Sequence, residues 1–94
     1  LAAMTKCLGR DHAHQKIRIN AVCPNEVNTA MLRSGFKIRG LDPENGIAKL
    51  NESVPLGHVA EPEEIANVIA FLTSDEASYI CGSLVEINGG KAVY

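Results

Sequence analysis

The chain has 94 residues, 46% hydrophobic and 21% charged, with a formal net charge of −2 at pH 7. That is an ordinary soluble composition, and scattered Lys and Arg under a slight acidic excess argue against nucleic acid or an anionic membrane as main partner. No apolar run approaches the roughly 20 residues needed to cross a bilayer. Three widely spaced cysteines, Cys7, Cys23 and Cys81, contain no Cys-x-x-Cys. Reduced thiols and a cytoplasmic location are therefore expected, rather than a disulfide framework or structural zinc.

Leu1, Met4 and Leu8 recur at helical spacing, with Ala2 and Ala3 as strong helix formers and Cys7 widening the stripe. No Ser, Thr, Asp or Asn precedes the helix to cap it, and no basic start leads into an apolar leader. The expectation is a C-terminal part of a longer protein, without a signal peptide. The helix is expected to fade around Asp11 to His14. His12 and His14 lie at this polar end without a third ligand at a sensible spacing, so they read as solvated helix-end residues.

Ile17-Arg18-Ile19-Asn20-Ala21-Val22 alternates, then turns small and apolar. This predicts a strand over Ile17–Val22, covered on both faces near its C-terminal end as in a parallel sheet. Cys23-Pro24-Asn25-Glu26-Val27-Asn28-Thr29 then leaves the sheet at the edge where open α/β sheets bind ligands. Taken alone, this stretch reads first as a polar turn from strand to helix with no ligand, and only second as a site.

The run from Arg18 to Thr29 resembles the short-chain dehydrogenase/reductase family, which carries Arg-hydrophobic-Asn-x-hydrophobic-x-Pro-Gly-x-hydrophobic-x-Thr there. The resemblance implies an α/β fold: the C-terminal part of a Rossmann-type doubly wound parallel sheet, with its last two strands, flanking helices and a substrate lid. It also implies a site for NAD or NADP formed by Pro24, Asn25, Glu26, Val27 and Thr29. The backbone of Val27 would bond the nicotinamide carboxamide, and the Thr29 hydroxyl would reach the carboxamide or the pyrophosphate. Matching a carboxamide's donor and acceptor to main chain fixes which ring face meets the substrate. Asn25 stands where the family usually has Gly; of the non-glycine residues, Asn best tolerates the left-handed region such a turn uses.

From Ala30 to Ser53, apolar residues are spread among charges, and Gly35, Gly40 and Gly46 interrupt any long helix. Short helices are predicted over 29–38 and 43–53, the second opened by Asp42-Pro43 as cap and first helical residue. By resemblance, 30–54 is the mobile lid over the substrate, able to close and exclude water. Met31, Leu32 and Phe36 are the candidates for substrate contact, with packing of the lid as the alternative.

Pro55-Leu56-Gly57-His58 and Pro62-Glu63-Glu64-Ile65-Ala66 carry a second family motif, with His58 in place of the usual Arg. Pro62 opens a helix whose dipole Glu63 and Glu64 complement, and Ile65, Val68, Ile69 and Leu72 form its apolar stripe. Adjacent carboxylates in a first turn diverge by about 100°, so they read as surface residues rather than a catalytic pair. The helix is expected to end near Thr73, with a further turn from Asp75 and a last strand within Ile80–Gly90.

The resemblance spans the whole chain as one Rossmann domain segment. The family's catalytic Ser, Tyr and Lys lie upstream of it, and Ser83 four residues after Tyr79 rules out the family's Tyr-x-x-x-Lys here. The implied activity is hydride transfer between nicotinamide and a small alcohol or carbonyl substrate, in a homodimer or homotetramer. A fold-bearing relative without catalysis is the alternative. The 94 residues alone are expected to be inactive.

Overall fold

The structure, a computed structural model, describes residues 1–91. In order, the elements are α1 (Ala2–His12), β1 (Ala21–Pro24), α2 (Ala30–Ile38), α3 (Pro43–Ser53), α4 (Pro62–Leu72) and β2 (Leu84–Ile87). Short 3-10 turns lie at Ala13–Gln15 and Asp75–Ala77. The two strands pair in one sheet. Bonds from Gly82 N–H to the Ile19 carbonyl, Ala21 N–H to Ser83 and Asn25 N–H to Ile87 advance together along both segments, so the pairing is parallel. The chain divides into two compact units: Leu1–Cys23 with Ala66–Glu86, and Pro24–Ile65 with the described residues from Ile87 on.

In the first unit, α1 buries Thr5 and Gly9. The Thr5 hydroxyl donates back to the Leu1 carbonyl at 2.8 Å, while Leu1 itself offers no side-chain cap. A Cβ on Gly9 would stand 2.8 Å from Gly82 Cα, closer than such contacts occur. Glycine at position 9 therefore lets the helix reach the segment that leads into β2, where Cys81 Sγ donates to the Gly9 carbonyl at 3.3 Å.

The strand expected over Ile17–Val22 is found at Ala21–Pro24. The reason lies in its polar positions, which bond distant backbone instead of facing water. Arg18 donates through Nη1 to the Leu72 carbonyl at 2.8 Å and through Nη2 to Ser74 at 3.1 Å. Asn20 donates to the Ile80 carbonyl at 3.0 Å and accepts from Ser83 N–H at 2.9 Å. These side chains anchor the approach to β1 against the end of α4 and the approach to β2. The last strand is likewise shorter than its apolar run, covering Leu84–Ile87.

In the second unit, α2 and α3 fall where glycines and the Asp-Pro pair place them. Between them lies a small core of Phe36, Ile47, Val54 and Val59, with Leu32 and Leu50 packed against it. Gly46 lies under the Phe36 ring, where a Cβ would come within 2.7 Å of ring carbons. The Arg39 guanidinium sits 5.3 Å from the centre of the same ring, in cation–π range.

Helix α4 begins at Pro62, and Glu64 reaches back to accept the Glu61 N–H at 2.9 Å. That is half of a capping box, a more specific task than dipole complementation. Of its stripe, Leu72 is buried, Ile65 and Val68 are half-buried, and Ile69 is exposed together with Phe71. Among the described residues no helix is long and apolar enough to cross a membrane.

Candidate functional site

Main-chain bonds hold the segment after β1, and side chains add to them. Asn25 N–H donates to the Ile87 carbonyl at 3.3 Å. Val27 forms a parallel bridge with Ala60, in which Ala60 N–H donates to the Glu26 carbonyl at 3.1 Å and Asn28 N–H to the Ala60 carbonyl at 2.8 Å. A parallel bridge uses the flanking residues' groups on one side, so Val27's own N–H and C=O point to the other edge. Among the described residues neither has a hydrogen-bond partner. The segment thus presents one donor and one acceptor, side by side, on a fixed backbone.

Thr29 is the N-cap of α2, with extended backbone, and its hydroxyl oxygen accepts the Leu32 N–H at 3.3 Å. Capping uses a lone pair and leaves the hydroxyl proton available for donation. Asn28 ties the segment to its surroundings through its side chain. It donates to Glu61 at 3.1 Å and accepts from Arg33 Nε at 3.1 Å, while Arg33 also pairs with Glu44.

Asn25 does not use the left-handed region expected of it. Among the described residues, Lys16 at φ 61° is the one non-glycine residue there. The turn runs on ordinary backbone, and Asn25 spends its N–H on β2's last residue. The side chain of Glu26 is engaged by Lys91, whose ammonium donates to both carboxylate oxygens at 3.2 Å.

The lid residues separate by environment. Met31 is 85% exposed, whereas Phe36 is 6% exposed inside the α2–α3 packing and Leu32 lies against the same core. Phe36 and Leu32 are thus packing residues in this structure, and Met31 is the open one. A cavity beside the loop is lined by Asn25, Glu26, His58, Glu64, Ile87 and Asn88, among others, but not by Val27, Thr29 or Met31. Within it, His58 Nδ1 lies 2.9 Å from the Val59 carbonyl and 3.8 Å from Glu64.

A family model described as enoyl-(acyl carrier protein) reductase matches residues 1–92. The chain belongs to the short-chain dehydrogenase/reductase family. It is 42% identical over 87 residues to meso-2,3-butanediol dehydrogenase of Serratia marcescens, covering 93% of this chain and 32% of that protein. Aldohexose dehydrogenase of Thermoplasma acidophilum has a similar structure, with a TM-score of 0.87 at 33% identity over 95% of this chain and 36% of that one. So has an NADPH-dependent reductase involved in bacilysin biosynthesis, with a TM-score of 0.87 at 25% identity over 100% of this chain and 37% of that one. The chain therefore spans about a third of the length of the curated relatives it matches. Its parallel strands and flanking helices are those of a C-terminal Rossmann segment of this family.

Two participants escaped the sequence reading. Ala60 fixes the orientation of Val27, and Lys91 holds Glu26. Ala60 stands only two residues before the recognisable Pro62, but nothing in its type signals a bridge. Lys91 is 65 residues from its partner, beyond the reach of any local pattern.

Proposed function

We propose that this chain is the C-terminal segment, within one Rossmann domain, of an NAD(P)-dependent oxidoreductase. That enzyme would pass a hydride between nicotinamide and a small alcohol or carbonyl substrate. The observation that carries this reading is the donor–acceptor pair of Val27, free among the described residues, on the loop that bears the family motif. A primary carboxamide has the complementary pair, and two short bonds to rigid main chain orient the nicotinamide ring. The Thr29 hydroxyl, with its proton unspent, donates to the carboxamide or the pyrophosphate. Pro24, Asn25 and Glu26 shape the approach. Met31 reaches the substrate from the exposed start of the lid, and Leu32 and Phe36 set the lid's shape from within.

When bound, the nicotinamide would give hydride to a carbonyl or take it from an alcohol. Proton transfer belongs to a Ser, Tyr and Lys set carried outside these 94 residues, so the chain by itself turns nothing over. The similarity to a butanediol dehydrogenase and an aldohexose dehydrogenase favours a polyol or sugar-like substrate. A cytoplasmic homodimer or homotetramer is part of the same reading, and exposed Met4 and Leu8 on α1 and Ile69 and Phe71 on α4 suit assembly.

The test is NADH and NADPH oxidation by the longer protein against a panel of carbonyl compounds, with the isolated 94-residue chain alongside. Turnover by the longer protein alone is expected. Dinucleotide binding without turnover on any panel member would favour a catalytically inactive, fold-bearing relative. Absence of dinucleotide binding would overturn the reading.

A further inference from the structure

The cofactor loop carries one charged tether that its backbone bonding does not require. Lys91 Nζ donates to Glu26 Oε1 and Oε2, both at 3.2 Å, and to Ser53 Oγ at 2.9 Å. The ion pair is largely shielded, with side-chain exposures of 28% and 26%. Lys91 is itself placed by its own N–H, which donates to the Asn88 carbonyl at 3.0 Å, just past β2. Ser53 is the last residue of α3, so one ammonium joins three segments: the loop after β1, the exit of the lid, and the chain after β2.

From this arrangement we infer that Lys91 is a positioning residue for the cofactor loop, acting through Glu26. The inference rests on the proposed role of Val27. Glu26 is the residue immediately before Val27, and its carbonyl is one of the two anchors of the Val27–Ala60 bridge. Fixing the Glu26 side chain as well as its carbonyl removes rotation about the peptide that carries the Val27 N–H. A donor held in one direction binds with less loss of freedom than one that must be ordered on binding. Lys91 itself touches no cofactor. Its third bond, to Ser53, makes the geometry of that peptide depend on the seating of the lid's last turn.

The experiment uses the full-length protein and titrates NADH and NADPH by fluorescence, with steady-state kinetics for cofactor and substrate. Lys91→Met and Glu26→Gln each weaken dinucleotide binding by about 3- to 10-fold, the range of one well-placed, partly shielded charged bond. In Lys91→Met the KM for the cofactor rises, while the KM for the carbonyl substrate and kcat stay within about two-fold. The double variant is no worse than either single one, because both remove the same tether. Lys91→Arg, which keeps charge and donors, restores most of the affinity and covers the case in which Lys91→Met does not fold. Binding within two-fold of wild type in Lys91→Met, or additive losses in the double variant, would overturn the positioning role. Failure of the wild-type protein to bind either dinucleotide would instead defeat the cofactor reading on which it rests.

Discussion

Arg18 holds three carbonyl groups at hydrogen-bond distance through its two terminal nitrogens, Leu72 and Ile80 through Nη1 and Ser74 through Nη2. A planar fork with fixed donors suits that task, whereas a lysine ammonium is a single flexible point. Arg18→Met is expected to destabilise the longer protein by about 2 kcal/mol, because it leaves partly buried carbonyls without a donor. Arg18→Lys should recover less than half of the loss, with urea denaturation as the measurement. Thr29 separates two roles at one atom. Thr29→Ala removes the cap and costs about 1 kcal/mol of stability, and on the proposed function it also weakens dinucleotide binding. Thr29→Ser keeps both hydroxyl functions and should behave as wild type in denaturation and in fluorescence titration alike.

At the scale of elements, α2 and α3 were legible because their boundaries are local chemistry. Thr29 caps one, Asp42-Pro43 opens the other, and Gly40 at φ +74° ends the first without strain. The start of β1 was not legible. Alternation in Ile17–Asn20 has the form of a half-exposed strand, yet its polar members serve bonds to residues more than 50 positions away. The Val27–Ala60 bridge was hidden for the same reason, since no local pattern reports a partner across the chain. Packing between α2 and α3 makes a sharper prediction. Phe36→Ala should cost about 3–5 kcal/mol through the cavity it leaves. Gly46→Ala should cost about 1–3 kcal/mol through overpacking against the ring. Both are read from denaturation midpoints, and a stabilised Gly46→Ala would contradict the close approach seen here.

For the molecule as a whole, its apolar surface is unevenly covered. Leu1, Met4, Ile17, Ile69, Phe71 and Tyr79 all stand open to solvent. Exposed apolar side chains are expected to bind hydrophobic dyes and, where they adjoin, to promote self-association. The isolated chain should therefore bind an anilinonaphthalene dye and elute larger than its 10.1 kDa. The longer protein, with more chain to cover these residues, should show much less dye binding per residue. Equal dye binding by the two would mean that the open residues stay open in the larger context.

The two groups of Val27 that have no partner among the described residues belong to its peptide backbone, and every residue but proline has the same pair. A scan of ordinary substitutions at this position would consequently look permissive, with Ile, Leu or Thr passing almost unnoticed. Such tolerance would be mistaken for unimportance. Only a change that edits the amide itself, by proline or by replacing the amide with an ester, can question it.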